Sequence, residues 1–198
     1  MKIVLIIVGI LLCLTAIYGF MVYKTQNGIE EYPLKVIKKY DHIEIRSYEA
    51  SLFTSVTIPK GTYKETSSRG FRILAGYIFG DNEEQEKIAM TSPVMMSMED
   101  STTMMFMVPK QYKKEELPSP NQTSISFEEL PPKTMAAISF GGWADDEKIE
   151  EYKKKLIAQL EFLGISFSNN FYFLGYNAPY ELINRKNEVV VELINAQL

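Results

Sequence analysis

The spacing of hydrophobic and polar positions changes twice along the chain. Between Lys2 and Lys24 no charge interrupts the apolar run IVLIIVGILLCLTAIYGFMVY. About 20 such residues suffice to cross a bilayer as one helix. A cleaved leader would need a shorter apolar core and small residues at the cut. The best cut, after Gly19, has Ile17 three residues back. Residues 1–23 are therefore expected to be an uncleaved single-pass anchor. Lys2 and the α-amine on a short tail lean toward the cytoplasm, which puts the domain on the extracytoplasmic side. Residues 24–36 read as a tether, broken by Asn27-Gly28 and Pro33. Residues 37–198 form the domain.

Within the domain the apolar run gives way to alternation. In HIEIRSYE, Ile43 and Ile45 share one face, with His42, Glu44 and Arg46 on the other, expected to be solvent-exposed. SLFTSVTI (51–58) follows closely enough to predict a hairpin with it. Thr62 and Glu65 have capping-box spacing and open a helix. Its apolar stripe is Phe71, Leu74, Ala75 and Ile78, and Gly80-Asp81-Asn82 ends it. Gly70 and Gly76 inside it weaken the helix but permit close approach of another backbone. PVMMSM and TMMFMV then predict a second hairpin, which Ser92-Pro93 turns the chain into.

The second half repeats this order. SISFEEL (124–130) and TMAAISFGG (134–142) flank a Pro131-Pro132-Lys133 turn. Asp145 to Glu147 start a helix with the stripe Ile149, Tyr152, Leu156, Leu160 and Leu163. FYFLGYN (171–177) and EVVVEL (188–193) close it. Two ββαββ halves predict an α+β fold: a distorted eight-stranded antiparallel β-barrel with two flanking helices, preceded by an N-terminal transmembrane helix.

Composition narrows the chemistry. With net charge −4 the chain carries no basic footprint of the kind nucleic acid requires. It has one cysteine, Cys13, and one histidine, His42, so neither an internal disulfide nor a Cys/His zinc site is available. The carboxylates fall in loops, turns and helix caps, and no nucleophile–base pair or phosphate-cradling loop is present, so no enzyme activity is expected. Seven of the ten methionines lie between Met90 and Met107. Alternation sends Val94, Met96 and Met98 one way and Met95 and Ser97 the other, and separates Met105 and Met107 from Met104 and Phe106. Methionines divided between two faces act as packing first, and as a deformable wall for a flat ligand second.

Several stretches resemble the SOUL haem-binding family. They are KIAMTSPV (87–94), GFRILAGYIFGDN (70–82), FMVPKQY (106–112), LPSPN (117–121), ELPPKTMAAISFGGW (130–143) and YNAPYELINRKNEV (176–189), in the family's order and spacing. The resemblance covers about residues 36–194. It implies an eight-stranded barrel with two helices, binding haem or another tetrapyrrole non-covalently. Carried onto this chain, the ring slot falls on Phe71, Leu74, Ala75 and Ile78, with Met90 and Met95 from the methionine stretch beside it. Arg69 and Arg72 are the propionate candidates. Where some members have a lysine before the helix tyrosine, this chain has Gly76. Where one branch has a histidine after the strand arginine, it has Ser47. His42 is thus only an opportunistic axial ligand. A barrel for another hydrophobic molecule, lined by Tyr172, Tyr176 and Trp143, is the second reading. A ligand-free membrane-tethered interaction module is the third.

Overall fold

The computed structural model describes residues 6–13, 15–17, 19, 28–97, 101–178 and 181–194. Residues 6–13 and 15–17 are helical and exposed. Residue 19 is also helical and exposed; the rest of the expected anchor and residues 24–27 of the expected tether lie outside the described residues. Among the described residues no helix is long and apolar enough to cross a membrane. A compact unit begins at Glu31. Tyr32 is buried, and residues 34–36, expected in the tether, belong to the first strand of this unit.

The unit is built on a nine-stranded antiparallel sheet and two α-helices. In chain order come β1 (Leu34–Lys39), β2 (Glu44–Tyr48), β3 (Ser51–Ile58), α1 (Tyr63–Ile78), β4 (Val94–Ser97) and β5 (Thr102–Met107). They are followed by β6 (Ile125–Leu130), β7 (Lys133–Gly141), α2 (Asp146–Phe162), β8 (Phe167–Gly175) and β9 (Lys186–Leu193). The sheet has nine strands in the order β1-β2-β7-β9-β8-β4-β5-β3-β6. Setting β1 aside, this order reads the same backwards once the two ββαββ halves are exchanged. The repeat in the sequence is therefore a pseudo-twofold axis passing between β4 and β8. The ninth strand, β1, is added outside β2, so the sheet is a curled half-barrel rather than an eight-stranded barrel.

Of the two expected hairpins, β4 with β5 forms, and β8 also pairs with β9. The hairpin of β2 with β3 and the turn expected to join β6 to β7 do not form. β2 pairs with β7, and β3 pairs with β6. Tyr48 stands opposite Lys133 and Ser51 opposite Leu130, so the ladder resumes in unchanged register across the links. Residues 44–56 and 125–137 are one long bent ribbon. Its break falls where Glu49-Ala50 faces Pro131-Pro132, since proline has no N–H to give to a ladder. The bend carries both chains from one end of the sheet to the other and curls it.

Local signals set the helices. Thr62 and Glu65 form the capping box, the Glu65 carboxylate accepting the Thr62 N–H at 3.1 Å. A Cβ on Gly70 would lie 2.6 Å from Ile58 Cδ1, so glycine lets α1 settle onto β3 and β5. Gly76 meets only Asp81, at 3.8 Å. Gly80, at φ +113°, ends the helix, and buried Asn82 ties the following loop by donating to the Tyr77 and Glu86 carbonyls. In α2, Asp145 caps the Lys148 N–H at 2.8 Å and Ile149, Leu156 and Leu160 are buried.

Apolar side chains form two cores, one on each face of the sheet. The helix-covered core gathers Ile43, Ile45, Ile58, Met96, Met104 and Phe173 beneath Leu74, Ile78, Leu156 and Leu160. The other holds Tyr48, Phe53, Met95, Met105, Met107 and Leu174. The methionines divide as alternation predicts; Met98 lies outside the described residues. The face expected to expose Glu44 and Arg46 is instead the inside of the curl. Arg46 is 6% exposed and Glu188 0%. Arg46 donates to both Glu188 oxygens, at 2.8 and 3.0 Å. Tyr176 and Ser139 donate to the same carboxylate at 2.6 and 2.8 Å. Period-two patterning marked this face as polar, but only the curl makes it an interior.

Candidate functional site

A groove of about 820 Å³ opens on the helix-covered side. Ligand pockets commonly span ~300–1,000 Å³. One wall is α1, which presents Tyr63, Ser67, Phe71 and Ala75 at four-residue spacing, with Lys64 and Arg72 along its outer edge. Four-residue steps keep to one side of a helix, so this row lies beside the docked row Leu74 and Ile78 rather than on it. The floor is Val94 and Met96 of β4, Met104 of β5 and Phe173 of β8. Aromatic pairs stiffen these walls: Tyr63 meets Phe173 edge-on at 5.1 Å, and Phe71 lies 5.4 Å from Phe106. The first turns of the two helices meet where the Tyr63 N–H donates to Asp146 Oδ1 at 2.8 Å.

The mouth is polar and aromatic. Trp143, Asp145 and Asp146 line it on one side, and Asn177, Arg185 and Asn187 on the other. The Arg185 guanidinium carbon lies 4.0 Å from the Trp143 ring centroid. Its Nη1 donates to the carbonyls of Ala178 and Glu181 at 3.0 and 2.7 Å, while its buried Nε has no partner. No ion pair of Arg185 occurs among the described residues. Arg185 is thus a cation fixed in orientation and left without a carboxylate. Burial pushes the Tyr63 phenol up, with the nearby Arg185 charge pulling the other way.

The expected site residues divide. Phe71, Arg72 and Ala75 line the groove. Leu74 and Ile78 are fully packed into the core beneath α1. Arg69 is exposed outside the groove. Met90 packs half-buried against the core, and Met95 lies on the far face of the sheet, so its neighbour Met96 takes the place expected of it. His42 sits on the exposed bend between β1 and β2, away from the groove. Trp143 lines the groove, but Tyr172 and Tyr176 point into the curl, where they donate to Glu192 and Glu188. Sequence reasoning missed Tyr63, Met104 and Arg185 as groove residues. The alternation that paired Met104 with Phe106 was a usable signal for the floor. Nothing in the local pattern marked Arg185.

A tetrapyrrole needs an apolar slot, cations for its carboxylates and, when it carries iron, an optional axial donor. The groove has the first two. Its side-chain donors toward iron are the Met96 and Met104 thioethers and the Tyr63 phenol. Among the described residues no cluster of three or more His, Cys, Asp or Glu is placed to hold a bare metal ion.

Comparison with known proteins agrees with this geometry. Residues 29–192 match the family described as SOUL heme-binding protein. The chain is 31% identical to human Heme-binding protein 2 over 155 residues, covering 74% of this chain and 75% of that one. It is 26% identical to Xenopus laevis Heme-binding protein 1 over 185 residues, 87% of this chain and 96% of that one. Among solved structures, the EcmrR C-terminal domain superposes with TM-score 0.61 at 11% identity, covering 77% of this chain and 96% of that one. A hydrolase from Listeria innocua superposes with TM-score 0.58 at 8% identity, covering 87% and 96%. At such identities these two share the fold alone. With most of its length matched in sequence, the chain belongs to the SOUL heme-binding protein family.

Proposed function

We propose that the domain binds haem or another tetrapyrrole non-covalently in the groove between α1 and the sheet, and releases it chemically unchanged. One observation carries this reading: a flat apolar slot ends at a fixed, uncompensated cation. The ring would lie between Phe71 and Ala75 of α1 and the floor of Met96, Met104 and Phe173. Thioethers and aromatic edges adapt to a planar ligand without polar mismatch. The carboxylates would meet Arg185, already oriented by two carbonyls and Trp143, with Arg72 and Lys64 beside it. A guanidinium so held loses little freedom when it takes a carboxylate. The groove donors are soft or protonated, so the hydrophobic slot and the carboxylates would dominate over iron ligation. That same point favours metal-free porphyrins and other flat amphiphilic acids as ligands of similar affinity. The uncharged run 3–23 supports single-pass attachment to a membrane, with the domain on the extracytoplasmic side.

The test is a titration of residues 29–198, checked first for a cooperative melt, with haem and with metal-free protoporphyrin. Saturable quenching of Trp143 by both, and a saturable Soret shift with haem, is the expected result. No saturable signal with either ligand overturns the reading.

A further inference from the structure

The groove mouth carries an exposed apolar rim that ligand binding does not account for. Trp143 is 55% exposed, Leu182 64% and Ile183 67%. They lie on the two loops that flank the mouth, one after β7 and one before β9. Arg185 joins these loops through its contact with Trp143 and its hydrogen bonds to the Ala178 and Glu181 carbonyls. Large aliphatic and aromatic side chains crowded at such an edge mark a surface that meets another apolar phase.

The charge around this rim is mainly cationic. Lys64 and Arg72 stand on α1, and Arg185 on the loop before β9. The carboxylates of the same rim, Asp145 and Asp146, are occupied as acceptors, taking the Lys148 and Tyr63 N–H groups at 2.8 Å each. Both sit at the positive end of the α2 dipole, which offsets part of their charge. An indole flanked by cations, with two aliphatic side chains beside it, matches the composition of a bilayer interface. The ring belongs at headgroup level, the aliphatic chains just below it, and the cations against anionic headgroups. The same chain carries the uncharged run 3–23, a separate compositional sign of a bilayer.

We infer that the rim of Trp143, Leu182 and Ile183 docks on an anionic bilayer surface and holds the groove mouth against it. A flat apolar molecule then moves between the acyl region and the groove without crossing water. The docking rests on the rim alone and stands whether or not the ligand is a tetrapyrrole.

Trp143 is the chain's single tryptophan, so its fluorescence reads this rim directly. The full chain would be reconstituted without ligand into phosphatidylcholine vesicles, with and without phosphatidylserine. The expected result in anionic vesicles is a blue-shifted emission, protection from acrylamide, and quenching by lipids brominated near the glycerol. Leu182→Asp and Ile183→Asp, both at exposed positions, should each shift the docked-to-free ratio roughly tenfold toward the water-exposed spectrum. Their far-ultraviolet dichroism should be unchanged. Two results would overturn the inference. One is a water-exposed Trp143 with full acrylamide access in anionic vesicles. The other is a protected Trp143 that both aspartate variants leave unmoved.

Discussion

The two faces of the curled sheet solve the same problem in opposite ways. Both are lined by methionine, aromatic and β-branched side chains from the same strands. Inside the curl Arg46, Glu188, Tyr176, Ser139 and Glu44 form one connected set, and the buried Tyr32 hydroxyl alone of its neighbours there has no partner among the described residues. On the outer face the helices cover most of the core, but α1 leaves Phe71 and Ala75 beside an open groove. Arg46 and Arg185 show the difference. Arg46 has its carboxylate, and Arg185 has only carbonyls and a ring. A buried cation already paired has its charge answered within the fold, whereas one held in place and unpaired invites an external anion.

The largest effect should come from breaking the paired face. Glu188→Leu alone removes the buried carboxylate that pairs with Arg46 and leaves it only the partly exposed Glu44, at a cost of about 3 kcal/mol in denaturant melts. Combining it with Arg46→Met should recover much of that loss, because no unpaired charge then remains. If the double variant is no better than the single one, the set is not acting as a pair.

Acid should probe the same face with the native chain. Burial pushes the Glu188 carboxyl up, but the Arg46 guanidinium and the Tyr176 hydroxyl outweigh this and hold it down to about 2. A carboxyl depressed by folding contributes stability above its unfolded value, and that contribution is lost as pH falls through the folded value. The window therefore runs from about pH 4.5 down to about 2. About 3 kcal/mol should disappear across it. The Arg46→Met/Glu188→Leu protein should show a correspondingly shallower acid loss.

The open face should respond in binding rather than in stability. Phe71→Ala removes a half-buried wall and should weaken porphyrin binding roughly tenfold, through about 1.5 kcal/mol of lost apolar contact. Its melt should shift less than that of Glu188→Leu. The smallest expected effect is that of His42→Ala. His42 sits on the exposed bend outside the groove, so the haem titration and its Soret maximum should be unchanged. A lost Soret shift would place the ligand elsewhere and erase the distinction between the two faces.

Within the two halves the sequence by itself determined the kinds of element, their order, the repeat, and the helix starts at Thr62 and Asp145, but not the edge strand β1. These follow from short-range causes: side-chain period, capping hydrogen bonds, and glycine at a positive φ. It also determined that the methionines divide between two faces, because alternation is a property of a single strand. Only the tertiary structure decided which strands pair. The links at 48–51 and 130–133 are short enough for hairpins, yet they are the bends of one ribbon, and no local pattern tells a turn from a bend. Only the curl made the Glu44–Arg46 face an interior, since alternation separates two faces without saying which is wet. The groove needed both decisions. α1 docks through Leu74 and Ile78 because Gly70 admits Ile58, and that docking leaves Phe71 and Ala75 at the edge. Arg185 and Trp143, 42 positions apart in the chain, become one feature only because β7 and β9 are neighbours in the sheet.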